Sequence, residues 1–216
     1  MEFTGFSPET IDFLWGIRMN NNRDWFTAHK EDYLNHLYRP MVAFSEILRE
    51  PFRDVPGMGC KVSRIYRDMR MPHADGPYKE SLWISLRPDA FYWGEHPCLY
   101  FEIRPEGAEY GFVLWHPQTA VMTQFRKELL EAPDRFLSVA ERVERETGLI
   151  LEGQDYKRPK PFTDPRTERF MSKKNLMCGQ PVPVGPELFD PALAEQARDT
   201  LYQLLPLYEY FIALEA

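Results

Sequence analysis

The middle of the chain constrains the fold most, because its apolar residues there repeat every second position. Apolar residues alternate with other residues in three runs, 82–87, 99–104 and 110–114. This spacing predicts β-strands that place one face on a core. The intervening Pro105-Glu106-Gly107-Ala108 predicts a turn that joins the last two strands into a hairpin. With a further strand expected near 62–66, the pattern predicts an antiparallel meander.

Helical spacing flanks this sheet on both sides. The expected helices begin at residues suited to cap or open a helix, namely Ser7-Pro8, Asn22, Pro117, Pro133 and Asp190-Pro191. Pro40 is expected to break or kink the second helix, and Gly148 to end the fourth. Residues 149–190 suggest strand fragments and ordered loop. The sequence therefore predicts an α+β fold in one domain, 1–216, with a central antiparallel meander flanked by N-terminal, middle and C-terminal helices.

Composition favours a cytoplasmic protein without a membrane partner. No stretch reaches the roughly 18 apolar residues that would span a bilayer, and the N-terminus lacks the pattern of a secretory signal. The three cysteines, Cys60, Cys98 and Cys178, are far apart and odd in number. Free, mostly buried thiols in a reducing compartment account for them.

Basic residues cluster in two segments of an acidic chain. The first basic segment, 60–87, holds six basic and three acidic residues, and the second, 157–174, holds seven basic and two acidic residues. The net charge is nevertheless −7, so the remainder is strongly acidic and disfavours binding to duplex nucleic acid. The two segments suggest a local anion site. The alternative is surface charge that segregates without function.

The densest functional signal lies in the first basic segment. It reads Arg64-Ile65-Tyr66-Arg67-Asp68-Met69-Arg70, followed by Pro77-Tyr78-Lys79. Cations this close repel one another unless an anion or carboxylates neutralise them. Asp68 is expected to orient a guanidinium for bidentate binding of phosphate or carboxylate. The alternative is an internal lattice of salt bridges.

These residues fit the pattern R-x-x-R-D-x-R-F-x-x-x-K-x-P-Y-K, and with it the chain resembles the domain of unknown function 2461, a family of mainly bacterial conserved hypothetical proteins. The likeness extends to further stretches: Phe3-Thr4-Gly5-Phe6, 21–26, 156–159 and Lys173-Lys174. Two positions depart from the pattern, with Met71 in place of phenylalanine and Asp75 in place of lysine. The resemblance implies no established activity or cofactor, so the cofactor is left unassigned.

The first functional hypothesis is a pocket, or an enzyme, for a phosphorylated or carboxylated small molecule. Its anion would be held by cations of both segments, namely Arg64, Arg67, Arg70, Lys79, Lys157, Arg158 and Lys173. Asp68 would orient an arginine, and Tyr78 would donate a hydrogen bond or transfer a proton. This hypothesis predicts that the side chains converge in one concave pocket.

Two other hypotheses stay open. A protein-interaction module would dock an acidic partner on a flat charged patch with exposed aromatics such as Trp83, Trp93 or Trp115. A single-strand nucleic acid binder would stack bases on Tyr92, Trp93 and Tyr100. No metal site is predicted, since His73-Ala74-Asp75 and His96-Pro97-Cys98 lack the paired spacing of zinc ligands.

Overall fold

A computed structural model describes residues 2–68, 70, 76–89 and 93–215, apart from the side chain of Trp93. It contains a five-stranded antiparallel sheet in which every strand pairs with the next one along the chain. The strands are β1 (Met58–Val62), β2 (Leu82–Pro88), β3 (Cys98–Arg104), β4 (Gly107–Leu114) and β5 (Leu176–Pro183). The predicted α+β meander is thereby confirmed.

Helices occupy the N-terminal, middle and C-terminal parts of the chain, as predicted. They are α1 (Pro8–Met19), α2 (Arg23–Ala28), α3 (Lys30–Asp32), α4 (Arg39–Leu48), α5 (Thr119–Glu131), α6 (Pro133–Thr147), α7 (Glu168–Met171), α8 (Pro186–Phe189) and α9 (Leu193–Glu215). The Asn22 side chain accepts a hydrogen bond from the Trp25 backbone N–H and so caps α2. Gly148 ends α6 at a φ of +73°, which a residue without Cβ adopts at little cost.

The predicted break at Pro40 is replaced by a change of helix type. Residues 33–38 form a π-helical segment that runs directly into α4, where Pro40 occupies the first turn. The Arg39 N–H donates to the carbonyl of Leu34, five residues back. Within a continuous α-helix, a proline has no N–H to donate and its ring clashes with the carbonyl four residues back. The wider π turn thus lets the helical path continue through Pro40.

Three details of the sheet differ from expectation. β1 ends at Val62, so the strand expected over 62–66 lies four residues earlier, and Tyr66 forms only an isolated bridge to Tyr78. The β3–β4 connection has two residues instead of four, because Arg104 pairs with Gly107. The fifth strand falls where only fragments were expected.

The two faces of the sheet have different surroundings. Helices α4 and α9 pack on one face, where alternating apolar residues are buried, among them Leu82, Ile84, Leu99, Phe101 and Phe112. The opposite face, here called the outer face, carries the other residues of each alternation, including Lys61, Trp83, Ser85, Arg87 and Tyr100. A small buried cluster of Cys98, Tyr100 and Val113 lies on it. The polar side chains of these strands therefore lie on the outer face.

Two further expectations concern cysteines and membranes. All three cysteines are free, and Cys98 and Cys178 are buried. Burial raises the pKa of the Cys178 thiol to about 12, which keeps it protonated and unreactive at neutral pH. Within the described part of the chain, no helix combines the length and apolar character needed to cross a bilayer.

Candidate functional site

A short backbone ribbon positions the motif of the first basic segment. Tyr66 and Tyr78 form an antiparallel bridge. The Arg67 N–H donates to the Pro77 carbonyl at 2.9 Å, and the Lys79 N–H donates to the Ile65 carbonyl at 2.7 Å. These bonds place Lys79 beside the segment that carries Arg64 and Arg67. The ends of the motif therefore meet in space although some ten residues of chain separate them.

Asn21, between α1 and α2, holds the second strand of this ribbon. Its side-chain oxygen accepts from the Tyr78 N–H and its amide donates to the Tyr78 carbonyl, each at 3.0 Å. A Cβ on Gly76, whose φ is +92°, would lie 2.5 Å from the Asn21 carbonyl oxygen. Glycine at 76 is thus required by both its backbone angle and the closeness of Asn21. The polar stretch 21–25 accordingly does more than cap a helix.

The ribbon borders a cavity of about 660 Å³ on the outer face, here called the β1–β2 cavity. Its described lining consists of Lys61, Val62, Ser63, Arg64, Lys79, Trp83, Ser85, Arg87 and Cys98. Four of these side chains are basic, and none of the described lining residues is acidic. Cations that face one cavity without carboxylates favour an anion there.

Two of the four cations, Arg64 and Lys79, have no hydrogen-bond or ion-pair partner for their side chains among the described residues. Lys61 forms an ion pair with Asp89, and Arg87 Nη1 donates to the Pro88 carbonyl at 2.8 Å. Lys79 Nζ has neither a hydrogen bond nor an ion pair with any residue the structure describes. Partial burial, together with the positive charges of Arg64 and Arg67, lowers the pKa of Lys79 below its ordinary 10.5. The surroundings of Lys79 therefore disfavour its charged form relative to the neutral amine.

A second cavity, of about 480 Å³, lies on the other side of Lys79, and its cations are compensated differently. We call it the salt-bridge cavity; its described lining is Arg18, Arg67, Lys79, Glu80, Ser81, Glu102 and Arg104. Arg18 Nε lies 2.6 Å from a Glu80 oxygen, and Arg104 lies 3.4 Å from Glu102. Burial raises the pKa of Glu102. The salt-bridge alternative thus describes this cavity, whereas in the β1–β2 cavity it accounts for Lys61 alone among the described cations.

Four predicted site residues of the first segment lie outside the β1–β2 cavity lining, and three of them are charged. Arg67 lines the salt-bridge cavity, where its Nε donates to the Tyr78 carbonyl at 2.7 Å. Asp68 and Arg70 are exposed and bind each other, with Arg70 Nε 2.8 Å from an Asp68 oxygen. Asp68 does orient a guanidinium, and Arg70 lowers its pKa, yet this pair is on the open surface.

Tyr78 supports the site from within the core. Its ring is 4% exposed and stacks on Phe26 with the ring centroids 4.2 Å apart. Burial raises the pKa of its hydroxyl. Tyr78 contributes to the site through its backbone. Asn21 binds both its N–H and its carbonyl, and Arg67 donates to the same carbonyl.

The second basic segment lies at the end of the sheet opposite to the motif 64–79. The motif leads into Leu82, whose register runs through Ile103 and Ala108 to Val182 near the end of β5. The second segment instead precedes Leu176, which starts β5. Contact between the two groups of cations, expected under the small-molecule hypothesis, is therefore absent among the described residues.

The cations of the second segment find partners nearby. Lys173 Nζ lies 3.0 Å from both Asp155 and the Gly153 carbonyl, and Lys157 and Arg158 are exposed. Arg169 binds Glu144 through two hydrogen bonds of 2.8 and 2.9 Å. These contacts match those of a structural charge cluster.

The prediction of site residues missed Lys61 and Arg87. Both had been counted as basic, but neither belongs to the motif. The signal was the alternation within β2, which puts Trp83, Ser85 and Arg87 on the face opposite Leu82, Ile84 and Leu86. The antiparallel register then adds Lys61 through its pairing with Ser85.

The positions of the candidate aromatic residues bear on the protein-interaction and the single-strand nucleic acid hypotheses. Tyr100 is 6% exposed, with its hydroxyl donating to Glu109, so it offers little surface to a nucleic acid base. Trp115 is 38% exposed, and Trp83 lines the β1–β2 cavity. Several other residues lie outside the description: Met71, His73, Asp75, Tyr92 and the Trp93 side chain. Among the described residues, no group of three metal-ligating side chains lies close enough together to hold an ion.

Comparison with known proteins decides the family. The model of the family described as conserved hypothetical protein (DUF2461) matches residues 9–210. The chain belongs to this family. The match spans both basic segments and every strand of the sheet, so the β1–β2 cavity lies wholly inside the DUF2461 region. A search of curated proteins finds no match.

Proposed function

We propose that this DUF2461 protein binds a phosphorylated or carboxylated small molecule in the β1–β2 cavity. Arg64 and Arg87 would supply the guanidinium groups and Lys79 the ammonium, while Trp83 would form the apolar side. The observation that carries the proposal is a cavity with four basic side chains and no acidic one among its described lining. Two of the predicted ligand-binding residues, Arg64 and Lys79, belong to it.

The size of the cavity favours an organic anion over a bare ion. Its volume of about 660 Å³ falls within the roughly 300–1,000 Å³ of small-molecule pockets. Guanidinium groups bind phosphate or carboxylate through paired hydrogen bonds, and Ser63 and Ser85 add hydroxyls. The apolar contribution of Trp83 then leaves room for the remainder of such a molecule.

The electrostatic balance around Lys79 supports the same conclusion. An ammonium whose neighbours disfavour its charge gains more from an incoming anion than one that is already paired. The acidic chain as a whole repels polyanions, so a small anion that enters a local basic cavity fits the charge distribution better than duplex nucleic acid does. No comparable observation favours the protein-interaction hypothesis.

Calorimetric titration at low ionic strength tests this function, with phenyl phosphate and inorganic phosphate as probes. Arg64→Gln and Lys79→Gln are each expected to weaken binding of phenyl phosphate by about tenfold, because each removes a hydrogen bond to a charged group. Phenyl phosphate should bind more tightly than inorganic phosphate because its ring is removed from water.

The chain provides matched controls for both substitutions. Arg70→Gln removes the same charge from the same motif, but Arg70 is exposed and bound to Asp68. Lys157→Gln does so in the second basic segment. Both controls are expected to change the affinity by less than about twofold. Equal losses in the controls and the site variants, or no binding by the unaltered protein, would refute the proposed function.

A further inference from the structure

Lys79 differs from the other cations of the β1–β2 cavity in being a nucleophile that has no partner within the described part of the chain. Its Nζ makes no hydrogen bond and no ion pair with the described residues, whereas Lys61, the other lysine of the cavity, is paired with Asp89. The backbone of Lys79 is fixed by its hydrogen bond to Ile65. Its side chain lines both cavities. The partly buried side chain of Lys79 therefore borders both cavities, near the positive charges of Arg64 and Arg67.

We propose that Lys79 forms an imine with the carbonyl group of a small molecule whose phosphate or carboxylate is held by Arg64 and Arg87. This proposal rests on the proposed function, since it names the class of ligand and the reaction of the same cavity. The class is a small aldehyde or ketone that carries an anionic group.

The positions of the groups match this chemistry. Guanidinium groups bind the anionic end, and the ammonium of Lys79 is left next to the remainder of the molecule. Lysines that act through imines need a fraction of neutral amine near neutral pH, which burial and neighbouring cations provide. Both causes act on Lys79, because Arg64 and Arg67 lower its pKa together with burial.

The reaction balances without an oxidant or a reductant. The ammonium of Lys79 first loses a proton, and the nitrogen lone pair then attacks the carbonyl carbon while the C=O π electrons move to oxygen. The resulting carbinolamine takes up a proton at its hydroxyl group and loses water as the C=N bond forms. One ammonium and one carbonyl compound thus give one iminium and one water.

Reductive trapping tests the reaction with three aldehydes of similar size. Glycolaldehyde phosphate and glyoxylate carry the anion, and glycolaldehyde lacks it. The protein is incubated with each aldehyde and sodium cyanoborohydride, and peptide mass mapping locates the modified lysine. We expect the two anionic aldehydes to modify Lys79 at least about tenfold faster than Lys61 or Lys157. Glycolaldehyde should show a clearly smaller preference, because only the lowered pKa of Lys79 favours its reaction.

Two variants separate this inference from the proposed function. Lys79→Arg keeps the positive charge but removes the nucleophile, so it should lose the selective labelling while weakening the binding of phenyl phosphate less than Lys79→Gln does. Arg64→Gln should slow the labelling of Lys79 by the anionic aldehydes more than its labelling by glycolaldehyde, because loss of the anion contact affects only the former, whereas the rise in the pKa of Lys79 affects both.

The outcomes distinguish the two failures. Phenyl phosphate binding without preferential labelling of Lys79 would overturn the imine and leave the anion site standing. Labelling of all lysines at one rate, together with no phenyl phosphate binding, would overturn both. If only one anionic aldehyde labels Lys79, the imine is supported and the ligand class narrows to phosphates or to carboxylates.

Discussion

The two basic segments have similar compositions and different structural roles. In the first, four cations face a cavity whose described lining contains no acid. In the second, three cations meet acids, namely Arg166 with Asp134, Arg169 with Glu144 and Lys173 with Asp155, while Lys157 and Arg158 are exposed on the surface. A count of basic residues cannot separate these cases, because what matters is which acids the fold brings to them. Repulsion left uncompensated within a folded domain points to a ligand.

The largest change in the free energy of unfolding is expected when a substitution breaks an ion pair of the second basic segment. Glu144 accepts both hydrogen bonds from Arg169 and one from the Leu151 N–H, and its side chain is 15% exposed. Glu144→Gln is expected to lower the free energy of unfolding by about 2 kcal/mol, since it removes charged acceptors that are largely buried. Urea denaturation measures it. Glu141→Gln, an exposed position on the same helix, should cost little, and an equal loss there would contradict the explanation.

The next effect has the opposite sign and lies in the first segment. Lys79→Met removes the cation that Arg64 and Arg67 repel, while it keeps most of the length of the side chain. We expect the free energy of unfolding to rise by about 0.5 kcal/mol, the size of a partly exposed charge interaction. Urea denaturation in the absence of phosphate or other multivalent anions is the appropriate measurement. A loss of stability would show that the ammonium has a stabilising partner.

The pH dependence of stability gives a further test of the unfavourable charge on Lys79. Because the pKa of Lys79 is lower in the folded state than its ordinary 10.5, the unfolded chain binds the proton more tightly. The destabilisation is fully present below the folded-state pKa and disappears as the pH rises towards 10.5. The gain in stability from Lys79→Met should therefore shrink as the pH is raised through that window. A gain that grows with pH would mean that the pKa shift has the other sign.

The smallest expected effect tests the exposed cations. Lys157→Gln and Arg158→Gln together should change the free energy of unfolding by less than about 0.5 kcal/mol, because both side chains are exposed. Their effect on phenyl phosphate binding should be similarly small and should disappear at higher salt. A loss of affinity that persists in high salt would mean that both basic segments contribute to one binding site.

Much of the fold could be predicted because its signals are local. Alternation identified β2 and β3, and capping residues identified most helix starts. β5 was missed because Gly179, Pro181 and Pro183 weaken its strand pattern; as an edge strand it tolerates prolines that an inner strand would not. The continuity of the helix through Pro40 depends on a π turn, for which sequence spacing gives no signal.

The site was predicted only in part, since its residues are joined by register. Arg64 and Lys79 belong to a recognisable motif, whereas Lys61 and Arg87 reach the same cavity through the pairing of β1 with β2. The lack of a partner for Lys79 among the described residues could not be seen in the sequence either, because Glu80, the neighbouring acid, binds Arg18 instead.

The two hydrogen bonds from Asn21 to the backbone of Tyr78 connect the N-terminal helices to the cavity. The side-chain amide of Asn21 donates one hydrogen bond to Tyr78 and accepts one from it, as the backbone of a neighbouring strand would. The geometry of the Pro-Tyr-Lys turn is consequently set from a position 57 residues earlier. A fragment reduced to the sheet would keep every cation of the cavity and lose the brace that fixes the spacing between them.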